Sequence, residues 1–297
     1  MTGPFEVSIN YLSLASGVGL FTAYYISLYR HGKSQAKYVG RTYSKREYVS
    51  LYSTKKERRR FVLGVVMLVL LTNYPIENLA RLYSVMAYLG QNLLIMLVAV
   101  PLMLIGLPRW SIVKLTRHRF IDLFLAHATR PITSTFIFSG SIVASMLSII
   151  VTEQSESTIF RTCLHAELIA ASAVMWVAAL GLMPGVRQMS TMGRIIYLFT
   201  QSLLPSFPAF VLIFAKHSFY PIYTAHISAL GISAVTDQEL AGGLSKVISL
   251  GILWGTSVAI VMRANRYEEI GSDPEPLTMD DLEREFTRSE RKTKDQG

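Results

Sequence analysis

Apolar and polar positions fall into long blocks along this chain. Seven apolar runs stand out: Val7 to Leu28, Phe61 to Leu71, Met86 to Ile105, Ile132 to Thr152, His165 to Leu182, Ile195 to Phe214 and Leu240 to Met262. Crossing a bilayer takes roughly 20 apolar residues in a helix. The second run is short of that, and the Lys55 to Arg60 stretch before it, whose long side chains can snorkel, is expected to extend it. The pattern predicts an all-α fold: a seven-transmembrane helix bundle over residues 1–266, then a polar tail over 267–297. In the tail, Ser272 to Leu277 breaks any helix, and Met279 to Lys292 is expected to form a short solvated one. Glu6 precedes the first run and no basic residue does, so that run reads as a retained span rather than a signal peptide.

Polar residues inside the runs are few and sit near one end. The third run carries Tyr88, Gln91 and Asn92 in its first two turns, with Tyr88 and Asn92 four apart on one helical face. Pro101 should kink this helix, and Gly106 to Pro108 should end it. The fourth run is dotted with small residues suited to close helix contact, Ser134, Ser139, Gly140, Ser141, Ala144 and Ser145, and Met146 stands near its far end. The fifth opens on Thr162-Cys163-Leu164-His165-Ala166-Glu167. Cys163 and His165 are two apart, so both can face one ion only if Cys163 precedes the helix proper. Glu167, an acid inside a span, is a functional candidate by default. Pro205 and Pro208 should bend the sixth run. The seventh opens on Asp237-Gln238 and carries Lys246 further in, where a lone amine is expected to pair with Glu167 or Glu239. Two connecting stretches look interfacial: Asn73 to Tyr83, expected to lie along the outer surface, and the amphipathic Arg109 to Arg130, expected on the inner leaflet.

Composition agrees with a membrane protein: 51% hydrophobic, 16% charged, mean hydropathy +0.36. One cysteine, Cys163, excludes an internal disulfide or a CxxC metal site. A net charge of +9 raises the question of nucleic acid, and its placement answers it. Eleven Lys or Arg lie between Arg30 and Arg60, five between 109 and 130, two between Arg187 and Arg194 and seven from Arg263 onwards; the alternate connections hold Arg81, Arg161 and Lys216. By the positive-inside rule this sets the N-terminus outside and the C-terminus in the cytoplasm. The charge therefore reports topology, with anionic-lipid contact at Lys55 to Arg60, and no nucleic-acid partner is expected. No nucleophile–base motif, phosphate loop or HExxH occurs, so an enzyme is not expected. Two other classes remain open: a small-solute or ion transporter using Glu167 and Lys246, and a retinal-type seven-helix protein, disfavoured because the third span has no carboxylate counterion.

Four motifs occur in order: Val98-Ala99-Val100-Pro101-Leu102 with Gly106-Leu107-Pro108, the His165 segment running to Met175-Trp176 and Pro184, Tyr220-Pro221-Ile222-Tyr223, and Asp237-Gln238-Glu239-Leu240-Ala241-Gly242. Together, from about Phe61 to Met262, they resemble the polytopic CtaG family of cytochrome c oxidase assembly factors. The resemblance implies a multi-pass protein of the bacterial plasma membrane, cytochrome c oxidase subunits or other respiratory membrane proteins as partners, and copper delivery as the family role. It also implies histidines at positions held here by Tyr88, Asn92 and Met146, while His165 keeps a family histidine. Of the copper donors, His165 is carried by the resemblance; Met146 and Cys163, which is not in the family pattern, are added as soft sulfur donors, with Asp237 as a further candidate, and Tyr88, Gln91, Asn92, Glu167, Gln238 and Lys246 are other polar residues of the outer face. If copper binding is lost, the resemblance leaves a scaffold for oxidase subunits.

Overall fold

A computed structural model describes residues 10–38, 40, 42–115, 119–182 and 188–270; the expected tail helix lies outside them. Every regular element among the described residues is helical. They are α1 (Tyr11–Tyr38), α2 (Lys45–Leu51), α3 (Lys55–Leu71), α4 (Ile76–Tyr83), α5 (Val85–Ile105), α6 (Arg109–Leu115), α7 (Arg119–Ala128), α8 (Pro131–Ser145), α9 (Ser148–Glu156), α10 (Thr158–Leu180), α11 (Thr191–Leu203), α12 (Ser206–Phe214), α13 (Pro221–Thr224), a 3-10 turn (Ile227–Leu230) and α14 (Ala234–Ile270). Five segments are long and apolar enough to cross a membrane alone: α1, α5, α10, α11 with α12, and the Ala234–Arg266 part of α14. Two bent pairs, α3 with α4 (49°) and α8 with α9 (69°), raise that to seven if each is one span.

Successive spans alternate in direction, which gives the bundle two unlike ends. At the basic end α2 and α3 begin on capping boxes, Ser44 with Glu47 and Thr54 with Glu57, each satisfying helix-start N–H groups. Trp110 of α6 stacks on His31 at 3.8 Å and donates to the Tyr52 carbonyl at 3.0 Å. Tyr24 donates to the Gly106 carbonyl at 3.0 Å, tying α1 to the end of α5. At the opposite end Asn10 N–H donates to Asn73 Oδ1 at 3.0 Å. Between the ends, α3 and α5 cross closely at Gly64, where a Cβ would stand 2.7 Å from the Ala99 carbonyl oxygen.

The expected basic extension of the second span is present, since α3 is one helix from Lys55. Three expectations need correction. Asn73 to Tyr83 is not wholly superficial. As α4 it leaves α3 at a 49° bend and buries Glu77, Ala80 and Tyr83 against the bundle, because Glu77 finds a cation there. The fourth run is not straight, for Leu147 is extended between α8 and α9. The fifth helix begins at Thr158, seven residues before His165, with the Ser157 hydroxyl accepting from Phe160 N–H at 3.2 Å. The sixth run is interrupted at its first proline, with α11 ending at Leu203 and α12 starting at Ser206.

Candidate functional site

The end opposite the basic residues is built on broken helices. In hydrocarbon each backbone N–H and C=O must find a partner within the protein, so each break exposes groups that side chains have to take. At the α4–α5 junction, α4 closes as a π-turn over Leu79–Tyr83 and Ser84 is extended. The Val85 N–H is taken by Asp237 Oδ2 at 2.6 Å, and the Ser84 hydroxyl donates to Asp237 Oδ1 at 2.6 Å. The Ala80 carbonyl accepts from the Tyr223 hydroxyl at 2.6 Å. At the α8–α9 break, Tyr88 donates to the Ser145 carbonyl at 2.9 Å and Tyr220 to the Met146 carbonyl at 2.8 Å. Gln238, next to Asp237, accepts from Phe219 N–H at 2.8 Å and donates to the Leu212 carbonyl at 3.3 Å, fixing the turn after α12.

The same device recurs deeper in α5. A π-turn spans Ile95–Ala99, and Pro101 brings no N–H to the Met96 carbonyl five residues back. That carbonyl accepts instead from Trp176 Nε1 at 3.0 Å and from the Ser172 hydroxyl. Both side chains are buried on α10.

A charged pair lies beside these clasps. Glu77 Oε1 and Arg161 Nε are 2.5 Å apart, with side chains 6% and 8% exposed. Gln91 Nε2 donates to Glu77 Oε2 at 2.9 Å and to the Leu71 carbonyl at 2.7 Å. Arg161 donates to the Gln154 carbonyl at 2.8 Å, and Arg81 donates to the Ser155 carbonyl at 2.9 Å. His165, one turn on from Arg161, is buried within electrostatic reach of both charges. Asn92, one turn on from Tyr88, is buried with neither amide atom in a hydrogen bond.

The sequence-derived residues therefore divide. Tyr88, Gln91, Asp237 and Gln238 converge on the clasped end, Met146 contributes its backbone carbonyl, and His165 sits beside the ion pair. Cys163 lies inside α10 and is exposed, two residues from buried His165, so the condition for both to face one ion is not met. Asp237 has both carboxylate oxygens engaged. Among the described residues, no three His, Cys, Asp or Glu side chains gather closely enough to hold a metal ion. Glu167 accepts from the Ser141 hydroxyl on the α8 side of α10. The expected pairing of Lys246 with Glu167 or Glu239 is not made: the amine donates to the Ser206 hydroxyl and lies 5.3 Å from the centre of the Phe210 ring. Lys246 is held by α12, whereas Glu167 is held by α8, on another side of the bundle.

Sequence reasoning missed Glu77 and Arg161. Arg161 stands four before His165 and so shares its face, which was a readable signal; Glu77 gave none, sitting in a stretch that looked interfacial.

Several of the clasping residues belong to the four motifs singled out in the sequence: Tyr220 and Tyr223, Asp237 and Gln238, and Trp176, whose partner carbonyl is left free by Pro101. A family model described as cytochrome c oxidase caa3 assembly factor matches residues 39–266. The chain belongs to this family. For a caa3 assembly factor the match covers α2 to α13 and nearly all of α14, leaving only α1 among the described helices outside it. Comparison with curated proteins and with solved structures found no match.

Proposed function

We propose that this assembly factor acts as a membrane scaffold for subunits of cytochrome c oxidase rather than as a carrier of copper. The family match supplies the oxidase. The observation that favours a scaffold is how the polar residues of the clasped end are used. Tyr88, Asp237 and Gln238 spend their polar atoms on backbone groups at helix breaks, and Gln91 on Glu77 and a carbonyl. The remaining donors do not form a soft set for Cu(I), which favours thiolate, thioether and imidazole together. Cys163 and His165 point to different sides of α10, and the side chain of Asn92 is a hard amide.

With the seven runs read as seven spans and the basic residues inside, the N-terminus lies outside the bacterial plasma membrane and the clasped end faces outwards. The rigid outer end would hold an oxidase subunit in position during assembly, and no reaction is assigned to the protein. Transport is less well supported. The cavity reached by Lys246, between α5, α8, α11, α12 and α14, offers 20 Å³ to the centre of a water molecule, room for about one water.

Deleting the gene and measuring assembled cytochrome oxidase, with and without added copper, tests the reading. The scaffold account expects a loss that copper does not restore. Restoration by copper would favour delivery. A Cu(I) titration of the purified protein against a competing chelator is expected to show no submicromolar site sensitive to His165→Ala or Cys163→Ser.

A further inference from the structure

Lys246 is the single charged residue between Glu239 and Arg263, a stretch of α14 long enough to cross the hydrocarbon core. It stands seven residues, about 10 Å of helix, beyond Glu239. Its amine has not risen to the nearer interface. It is held by Ser206, the first residue of α12, which runs on for eight further residues to Phe214 at the clasped end. A hydroxyl and an aromatic face solvate an ammonium only partly, and among the described residues no carboxylate pairs with it. A cation at this depth is costly unless neutralised.

The surroundings of Lys246 leave one side open. On its inner side α14 packs tightly: a Cβ on Gly242 would stand 2.7 Å from the Ala209 carbonyl oxygen of α12. On its outer side Gly243 faces open space, and Val247 and Trp254 are 70% and 50% exposed. Lys246 lies at the border between these two sides, three residues from Gly243 and four from Leu250, and is itself half-buried. A second helix laid on this face would approach closely at Gly243 and pass beside Lys246, whose flexible side chain can turn from Ser206 to meet it.

We infer that the Lys246 face of α14 docks a transmembrane helix of a partner protein, and that this helix carries a carboxylate at matching depth which completes the pairing of the amine. The inference rests on the scaffold reading and gives the partner its chemistry: an otherwise apolar span bearing one Asp or Glu. Removing Lys246 should leave the isolated protein no less stable, because an uncompensated charge is removed, and should abolish the docking.

The test uses the full-length protein in lipid nanodiscs and energy transfer to a labelled Leu/Ala transmembrane peptide of about 21 residues. One peptide carries a central Asp, a second Leu and a third Lys at the same position. The Asp peptide should associate at least about tenfold more tightly than either other peptide. Lys246→Leu should lose that preference, Lys246→Arg should keep it, and the melting temperature of Lys246→Leu should not fall below that of the parent. Equal binding of the three peptides, undiminished Asp-peptide binding by Lys246→Leu, or a lower melting temperature for Lys246→Leu overturns the inference. So does self-association of the parent abolished by both Lys246→Leu and Glu167→Gln, which would make the occupant a second copy of this chain. No oxidase is present in this assay and no peptide in the deletion experiment, so the two readings fail separately.

Discussion

Arg161 and Lys246 are both cations within membrane-length helices, and the protein treats them in opposite ways. Arg161 is buried at the clasped end, 2.5 Å from Glu77, with its remaining donors directed at the Gln154 carbonyl and the Thr158 hydroxyl. Lys246 is half-buried on α14, with a serine and a phenylalanine ring for company. The first charge is satisfied from within and so joins α4 to α10. The second is not, and on the present account it waits for another molecule. In a membrane the same residue class can therefore fasten the fold or advertise a surface, and the difference lies in whether the opposite charge belongs to the same chain.

The comparison can be broken first at its strong side. Arg161→Leu should destabilise the protein by about 3–5 kcal/mol, the cost of leaving a buried carboxylate alone. Thermal or denaturant unfolding in detergent measures it. The double variant Glu77→Leu with Arg161→Leu should recover much of that loss, and a double variant as weak as the single would mean that other contacts of Arg161 matter more than the pair. Asp237→Ala comes next, at about 1–3 kcal/mol, because it strands the Val85 N–H and the Ser84 hydroxyl. Tyr223→Phe should cost about 1 kcal/mol by removing the donor to the Ala80 carbonyl. Trp176→Phe should cost less, since the Ser172 hydroxyl still serves the Met96 carbonyl. Lys246→Leu is the smallest in stability, with no loss expected.

Much of the helical framework was legible in the pattern of apolar runs, because a run near 20 residues without charge has few alternatives to a spanning helix. The π-turn ahead of Pro101 and the helix break at Pro205 have a similarly local reason, the missing N–H. The break after Ser145 was not legible. It has neither proline nor glycine, and it exists because hydroxyls arriving from Tyr88 and Tyr220, 57 and 74 residues away, take the freed carbonyls. Asn73 to Tyr83 misled for the same reason: its amphipathic spacing suits a membrane surface, and only the distant Arg161 turns Glu77 inwards. Tyr88, Gln91, Asp237 and Gln238, all singled out in the sequence, are brought together at the clasped end, where their polar atoms meet helix-break and side-chain groups of the same chain. Tyr88, Asp237 and Gln238 bind backbone, a role that sequence cannot separate from metal binding when the positions of the helix breaks are unknown. Lys246 was recognised as anomalous, and its predicted carboxylate partner failed because Glu167 is held by α8 while Lys246 is held by α12.

The most direct measurement is to return Lys246→Leu to a strain lacking the gene, then follow both the amount of the variant in the membrane and the amount of assembled cytochrome oxidase. A scaffold that meets its partner through this charge predicts a variant present at the parent level, melting no lower than the parent, with oxidase assembly lost. Normal oxidase assembly with the variant would contradict it.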